Sequence, residues 1–450
     1  MIETPKLAPK RVVRVVVLKM LGIFDHDIEF PADDEFVCIH GPNGVGKTKL
    51  LELLDATLHA NVSKLFGIQF ETFRIEFDDN TWIHIEQKTS SGGIKRLDLQ
   101  AYLPEIGTLE FPEVSSDVAN KALNWLNVEG FIRRRRTGSG YINIDPATDQ
   151  VISDDDAIET YMSELPEEVA PVPQVWAELS MAAPARLIEI GRLRETSVQT
   201  PIRQRLGESS EVITAIERCA QDLASRNKAA RAAYSVKAQS SDRSYAIRLI
   251  EEDVPQGMRK ESDLRERYDS VINRQNNLSR LSLLGSQDSS IRLPAGQIEP
   301  WQKLAIGLHL SDLEEKLATF DEISKRMQAF QRIVNGKLSG KRLEFDSERG
   351  FLILVDRNSL PSEEISINEL SSGESHLIVI VYRLLFETRQ GELVLIDEPE
   401  ISWHIAWQRQ FLDDLIELSR LNGLRFVVAT HSPQIVGRWT KRMQLLEVAG

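Results

Sequence analysis

Lys47 and Thr48 close the run His40-Gly41-Pro42-Asn43-Gly44-Val45-Gly46-Lys47-Thr48, which sits between an apolar strand-like stretch, EFVCIH, and a helical one, KTKLLELLDATL. The run contains G-x-x-x-x-G-K-T. Its glycines let successive backbone N–H groups converge on phosphate oxygens at a helix N-terminus, where the macrodipole also favours an anion. Asn43, Gly44, Gly46, Lys47 and Thr48 are therefore candidates to hold a nucleotide: Lys47 would reach the β and γ phosphates and the Thr48 hydroxyl would hold Mg²⁺. A second stretch, Leu393-Val394-Leu395-Ile396-Asp397-Glu398-Pro399, is an apolar strand ending in two carboxylates. Asp397 would complete the magnesium shell, and Glu398 would orient or deprotonate an attacking water. Thr430-His431 ends a third apolar run, LRFVVAT, where a histidine could contact a γ phosphate. Leu370-Ser371-Ser372-Gly373-Glu374, ahead of the helical run SHLIVIVYRLLF, reads by itself as a helix cap.

The elements that must position these residues follow from hydrophobic period. In the first 100 residues RVVRVVVLKM, DHDIEF, EFVCIH, TFRIEF and TWIHIEQ read as strands, with one helix after the glycine-rich turn. Residues 101–180 read as short helices and loops, with a basic run Arg133 to Arg136 and an acidic run Asp154 to Asp156. The basic run could contact phosphate or form an exposed hairpin tip. Beyond the strand ARLIEI the pattern turns helical until about residue 342. Apolar stripes occur at Val212, Ile216, Cys219 and Leu223, and at Leu313, Leu317, Phe320, Ile323, Met327, Phe330 and Val334. Trp301 to Asn335 as one helix would be ~50 Å long. An antiparallel helical arm is expected, its charged face either solvated or DNA-binding. RLEFD and FLILVD then predict a hairpin, followed by alternating helices and buried strands. The expectation is an α/β fold whose catalytic head is split by a long helical insertion: 1–195 as first lobe, 196–341 as arm, 342–450 as second lobe.

Composition bounds the partners. The 450 residues are 42% hydrophobic and 27% charged, with 54 basic against 68 acidic residues for a net charge of −14. That balance opposes wholesale coating of a polyanion. Two cysteines, Cys38 and Cys219, exclude a disulfide framework or a four-thiolate metal site. With no signal-like h-region and no run of ~18 apolar residues, a cytoplasmic protein without membrane contact is expected.

The four motifs in this order resemble the ATP-binding cassette family. The resemblance implies ATP and Mg²⁺ as ligands, LSSGE as the signature sequence and His431 as the switch histidine. It implies that Ser371, Ser372 and Gly373 meet the γ phosphate held by the P-loop of a second subunit in a head-to-tail dimer, and that Glu400 to His404 form the D-loop. Thr48 and Leu370 stand more than 300 residues apart. That separation looks like the Rad50, RecF, SMC and OLD-type branch rather than a transporter cassette. LSSGE, IDEPEISWH and PARLIEIGRLRE are most similar to OLD-like ATPases of bacterial defence. Gly191 stands where a Q-loop glutamine often occurs, so no residue is assigned that role.

Only 19 residues follow His431, too few for the TOPRIM domain of OLD nucleases, and no HNH-like histidine cluster is visible. The resemblance therefore points to ATPase subunits of two-gene anti-phage systems of the PARIS or Septu type. It implies a sensor or scaffold that responds to a phage-encoded trigger, controls a separate TOPRIM- or HNH-type nuclease, and assembles as a dimer or a higher ring. The alternative is a Rad50- or RecF-like repair ATPase binding duplex DNA.

Overall fold

Alternating apolar residues in the first stretch pair into β1 (Val12–Met20) and β2 (Phe24–Glu29), with Val12, Val15, Val17 and Met20 of β1 all facing inward. In this computed structural model the described residues are 7–31, 34–89, 95–111, 113–115, 118–137, 140–146, 151–152, 154–161, 173–189, 214–251, 260–285, 293, 296–355, 363–400 and 403–446. The chain divides into two compact units, residues 1–212 with 388–450, and residues 213–387.

In the first unit the chain continues through β3 (Phe36–His40), α1 (Lys47–Leu58), α2 (Val62–Gly67), β4 (Thr72–Phe77) and β5 (Trp82–Thr89) to β6 (Lys95–Leu103), β7 (Gly107–Glu110) and β8 (Val114–Ser115). One sheet runs β2-β1-β4-β5-β6-β7, with β8 on β6. The described residues of 101–180 are more regular than their composition predicts. Leu97, Leu99, Ala101 and Leu103 alternate inward on β6, extending the sheet. Beyond them α3 (Val118–Val128) and α4 (Asp154–Thr160) share a small apolar core with a three-stranded sheet, β11-β10-β9, of β9 (Arg133–Thr137), β10 (Gly140–Ile144) and β11 (Val151–Ile152). The arginine run is thus an edge strand of a hairpin, paired residue for residue with β10. Then come α5 (Gln174–Ala182) and β12 (Ala185–Glu189). Gly191 and Val212 lie outside the described residues.

The second unit holds the helical insertion: α6 (Ala215–Glu251), α7 (Glu261–Arg280), α8 (Pro300–Ala318) and α9 (Asp321–Asn335). Charged pairs tie the helices together, Arg248 with Asp312 at 2.7 Å, Lys316 with Asp242 at 2.7 Å and Arg267 with Glu314 at 2.6 Å. The single helix expected from Trp301 to Asn335 is instead two. The Thr319 hydroxyl donates to the Lys316 carbonyl at 2.7 Å and Phe320 turns into the core, which ends α8 and starts α9. The predicted hairpin is present as β13 (Lys341–Asp346) and β14 (Gly350–Val355), with a third strand, β15 (Glu363–Ile365), on β14. Gly350 is forced: its φ is 82°, and a Cβ there would stand 2.1 Å from the Ala220 carbonyl oxygen of α6. Next is α10 (Ser372–Tyr382), continued by a π-helical turn, Arg383–Glu387. Phe330 packs edge-on to Phe351, Tyr382 and Phe386 at centroid distances of 5.7–6.0 Å. Residues 342–387, which the sequence groups with the second lobe, thus share a compact unit with the helices.

The chain re-enters the first unit as β16 (Leu393–Asp397), α11 (Ile405–Asn422), β17 (Arg425–Thr430), α12 (Pro433–Val436) and β18 (Met443–Leu445). These strands complete a parallel sheet, β12-β16-β17-β3-β18, built from both sides of the insertion. Its three central strands, β16, β17 and β3, are near-continuous apolar runs because both faces are covered. The result is a mixed α/β P-loop fold whose two sequence halves are separated by a long helical insertion.

Candidate functional site

Register brings the motifs together. Asp397 is opposite Ala429 and Thr430 is opposite His40, so the P-loop after β3, the acids ending β16 and His431 after β17 leave the same edge of the sheet. That edge, outside the carboxyl ends of parallel strands, is where such sheets bind ligands. A cleft of about 510 Å³ opens there, lined by Leu21, Asn43, Gly44, Gly46, Lys47, Thr48, Lys49, Glu398, Glu400 and His431.

The loop is shaped for an anion. Gly46, left-handed at φ 89°, precedes α1 with no side-chain cap, and no acid occupies the first turn. A Cβ on Gly46 would stand 2.5 Å from the Met20 methyl. Behind the loop the buried His26 ring touches the Val45 carbonyl through Nε2 at 3.2 Å; a carbonyl only accepts, so Nε2 carries the proton. Burial lowers the His26 pKa, which keeps this ring neutral.

Lys47 donates to the carbonyls of Gly41 at 2.9 Å and Pro42 at 3.0 Å, and its Nζ lies 3.1 Å from His431 Nδ1. Burial pulls the ammonium below its ordinary pKa, opposed by Glu398, Asp397 and Glu400. An ammonium has no lone pair, so His431 Nδ1 accepts and its proton resides on Nε2. From Nε2 it is donated to Glu398 Oε1 at 3.1 Å. Lys47, His431 and Glu398 therefore form one chain of polar contacts across the cleft. Glu398 adopts φ 47°, a strained value for a non-glycine residue, held by its N–H to the Ala429 carbonyl at 2.9 Å.

The Thr48 hydroxyl donates to Asp397 Oδ2 at 2.8 Å. A hydroxyl and a carboxylate in contact at the base of a phosphate loop are the hard oxygen donors that Mg²⁺ takes, with water and phosphate oxygens filling the remaining positions. Among the described residues there is no group of three or more His, Cys, Asp and Glu side chains able to hold a metal. A cation here would depend on Thr48, Asp397 and the nucleotide together.

Glu400 was assigned by resemblance to the D-loop, and its bonding within the chain is not evident from sequence. Its Oε1 accepts from the Thr430 hydroxyl at 2.7 Å, the His431 N–H at 2.7 Å and the Ser432 N–H at 3.1 Å. The sequence signal was a second glutamate two residues after Glu398.

Ser371, Ser372 and Gly373 belong to the second unit. Ser371 caps α10 in a capping box: Ser371 Oγ accepts from the Glu374 N–H at 3.3 Å and Glu374 accepts from the Ser371 N–H at 2.8 Å. Lys341 donates to both Glu374 oxygens at 2.9 and 3.0 Å. Burial raises the Glu374 carboxyl pKa, but these bonds outweigh it and hold the group below its ordinary value.

Residues 215–436 match the AAA ATPase domain family, a span that holds the Ser-Gly motif, the acidic strand and His431 but not the P-loop. A curated relative, the lipoprotein-releasing system ATP-binding protein LolD of Syntrophus aciditrophicus (strain SB), is 32% identical over 78 residues, 17% of this chain and about a third (34%) of its own length. The chain is also similar to a solved Smc head domain with an extended coiled coil, bound to the C-terminal domain of ScpA, from Pyrococcus furiosus. That match has 13% identity and a TM-score of 0.35, over 98% of this chain and 94% of the other. A second Smc head structure, bound to the C-winged helix domain of ScpA, matches with 9% identity and a TM-score of 0.33, over 94% of this chain and 90% of the other. The family match and the curated relative support an ATPase of the AAA/ABC type. Among the described residues no helix is long and apolar enough to cross a membrane.

Proposed function

We propose that this chain binds and hydrolyses ATP, and that ATP drives two copies together head to tail. The contact that carries the reading is Thr48 to Asp397 at 2.8 Å, which joins the phosphate loop to the acidic strand in one cleft. Bound Mg²⁺ would neutralise phosphate charge there. Lys47 leaves the Gly41 and Pro42 carbonyls for the phosphate oxygens, and the anchoring amides at the start of α1 hold the chain of phosphates. Glu398 orients and deprotonates water, and the Nε2–H of His431 donates toward the terminal phosphate.

The dimer reading rests on the signature. Ser371 has its backbone fixed by the capping box and Gly373 brings no side chain, so an anion from another copy could approach the α10 N-terminus. Lobes 1–195 and 342–450 would act as one head and 196–341 as its arm. Resemblance of LSSGE and IDEPEISWH to OLD-like ATPases supports the finer reading: a sensor or scaffold of an anti-phage complex controlling a separate nuclease or toxin. A second reading, a DNA repair ATPase, draws on Arg133, Arg135 and Arg136, exposed on edge strand β9. Light scattering with Mg-ATP tests the association. Glu398→Gln should shift to twice its nucleotide-free mass, and Glu398→Gln with Ser371→Arg should not; an ATP shift that survives Ser371→Arg would overturn the signature role.

A further inference from the structure

The switch histidine is placed by its neighbours as well as by its own strand. His431 must present Nδ1 to Lys47 and Nε2 to Glu398 at once, both at 3.1 Å. That fixes the ring plane and requires its backbone, at the exit of β17, to be held. At that exit one atom recurs: Glu400 Oε1 accepts from the Thr430 hydroxyl and from the His431 and Ser432 N–H groups, on three successive residues. The other oxygen, Oε2, is shielded from solvent and makes no hydrogen bond. The carboxylate is delivered there by local geometry. Glu398 turns the chain with its positive φ, Pro399 is buried, and the Glu400 carbonyl accepts from the Trp403 N–H at 3.0 Å, which holds the Glu400 backbone beside the exit of β17.

We infer that Glu400 is a positioning residue that clamps the His431 loop, and so sets the ring orientation on which the Lys47–His431–Glu398 chain depends. This rests on the ATPase reading for its kinetic consequence but not for its structural one. A carboxylate oxygen taking three donors forms charge-assisted bonds, stronger than neutral ones, and one of the three donors is the His431 N–H itself. The clamp joins the acidic strand to the switch loop within one copy. Both glutamates line the cleft, but the role differs from that proposed for Glu398, which would act on water directly, since Glu400 acts through His431.

Two readouts on the full-length chain separate this from a merely structural contribution. The first is the ¹⁵N signature of the His431 ring in nucleotide-free protein. Wild type should show the Nε2–H tautomer, Glu400→Ala should shift toward an averaged signal, and Glu400→Gln, which keeps an acceptor oxygen, should retain the wild-type pattern. The second is ATP turnover against ATP binding. Glu400→Ala should lose at least about tenfold in kcat while its Kd for ATP changes less than about threefold, and Glu400→Gln should recover most of the rate. A wild-type ring signal and kcat in Glu400→Ala would overturn the inference, as would equal loss of kcat and nucleotide affinity. If wild type turns over no ATP, the ATPase reading fails while the ring signature still decides the clamp.

Discussion

Asp397 ends β16 and Thr48 lies in the first turn of α1, on opposite sides of the insertion in sequence, yet they meet at hydrogen-bond distance. If that pair holds Mg²⁺, Asp397→Asn should abolish the strengthening of ATP binding by Mg²⁺ and leave metal-free binding nearly unchanged. Titration with a fluorescent ATP analogue, with and without EDTA, measures this. Of the cleft residues, Asn43, Gly44, Gly46, Lys47, Thr48, Glu398 and His431 were legible in sequence because each sits at a fixed offset from a local signal, a glycine turn before a helix or the end of an apolar strand, whereas Leu21 and Lys49 carry no such signal. Glu400 and His26 were not legible as supports. What they hold depends on the register of β17 against β16 and on the depth at which β2 passes behind the loop, and neither is written into any local spacing.

Elements follow the same rule. Strands buried on both faces, such as LVLID and RFVVAT, announce themselves as continuous apolar runs, and the α/β core was predicted from their alternation with helices; that they run parallel is shown by their pairing. The small sheet β11-β10-β9 was hidden because RRRRT on its edge shows no apolar alternation; it is a strand through pairing with β10. The break between α8 and α9 was hidden because the apolar stripe runs through it in phase. Gly350 offers a stability test at this scale. Gly350→Ala should lower the unfolding midpoint by the equivalent of about 1–3 kcal/mol, since the new Cβ meets the α6 backbone at a positive φ. Glu374 offers a pH test. Its folded pKa lies below the ordinary 4.5, so its contribution is present above that value and lost as pH falls through the folded one. Glu374→Gln should cost about 1–2 kcal/mol at pH 7, and the gap from wild type should close in denaturant titrations run well below pH 4.

At the scale of the whole molecule, the chain divides into two compact units, one of which contains a parallel sheet assembled from both sides of the insertion. The cleft lies within that unit, whereas Ser371, Ser372 and Gly373 lie in the other, so the proposed division of labour between copies is a claim about assembly. The net charge of −14 sharpens the choice of partner. A duplex-DNA clamp needs a concentrated basic surface, and its binding would weaken steeply with salt. The central claim is the chemistry of the cleft, and steady-state phosphate release from Mg-ATP tests it most directly. Wild type should release phosphate, Lys47→Ala should bind ATP at least about tenfold more weakly, a loss of about 1.4 kcal/mol, and Glu398→Gln should bind ATP normally yet turn over at least about a hundredfold more slowly. Turnover by Glu398→Gln at the wild-type rate, or none by wild type, would contradict the account.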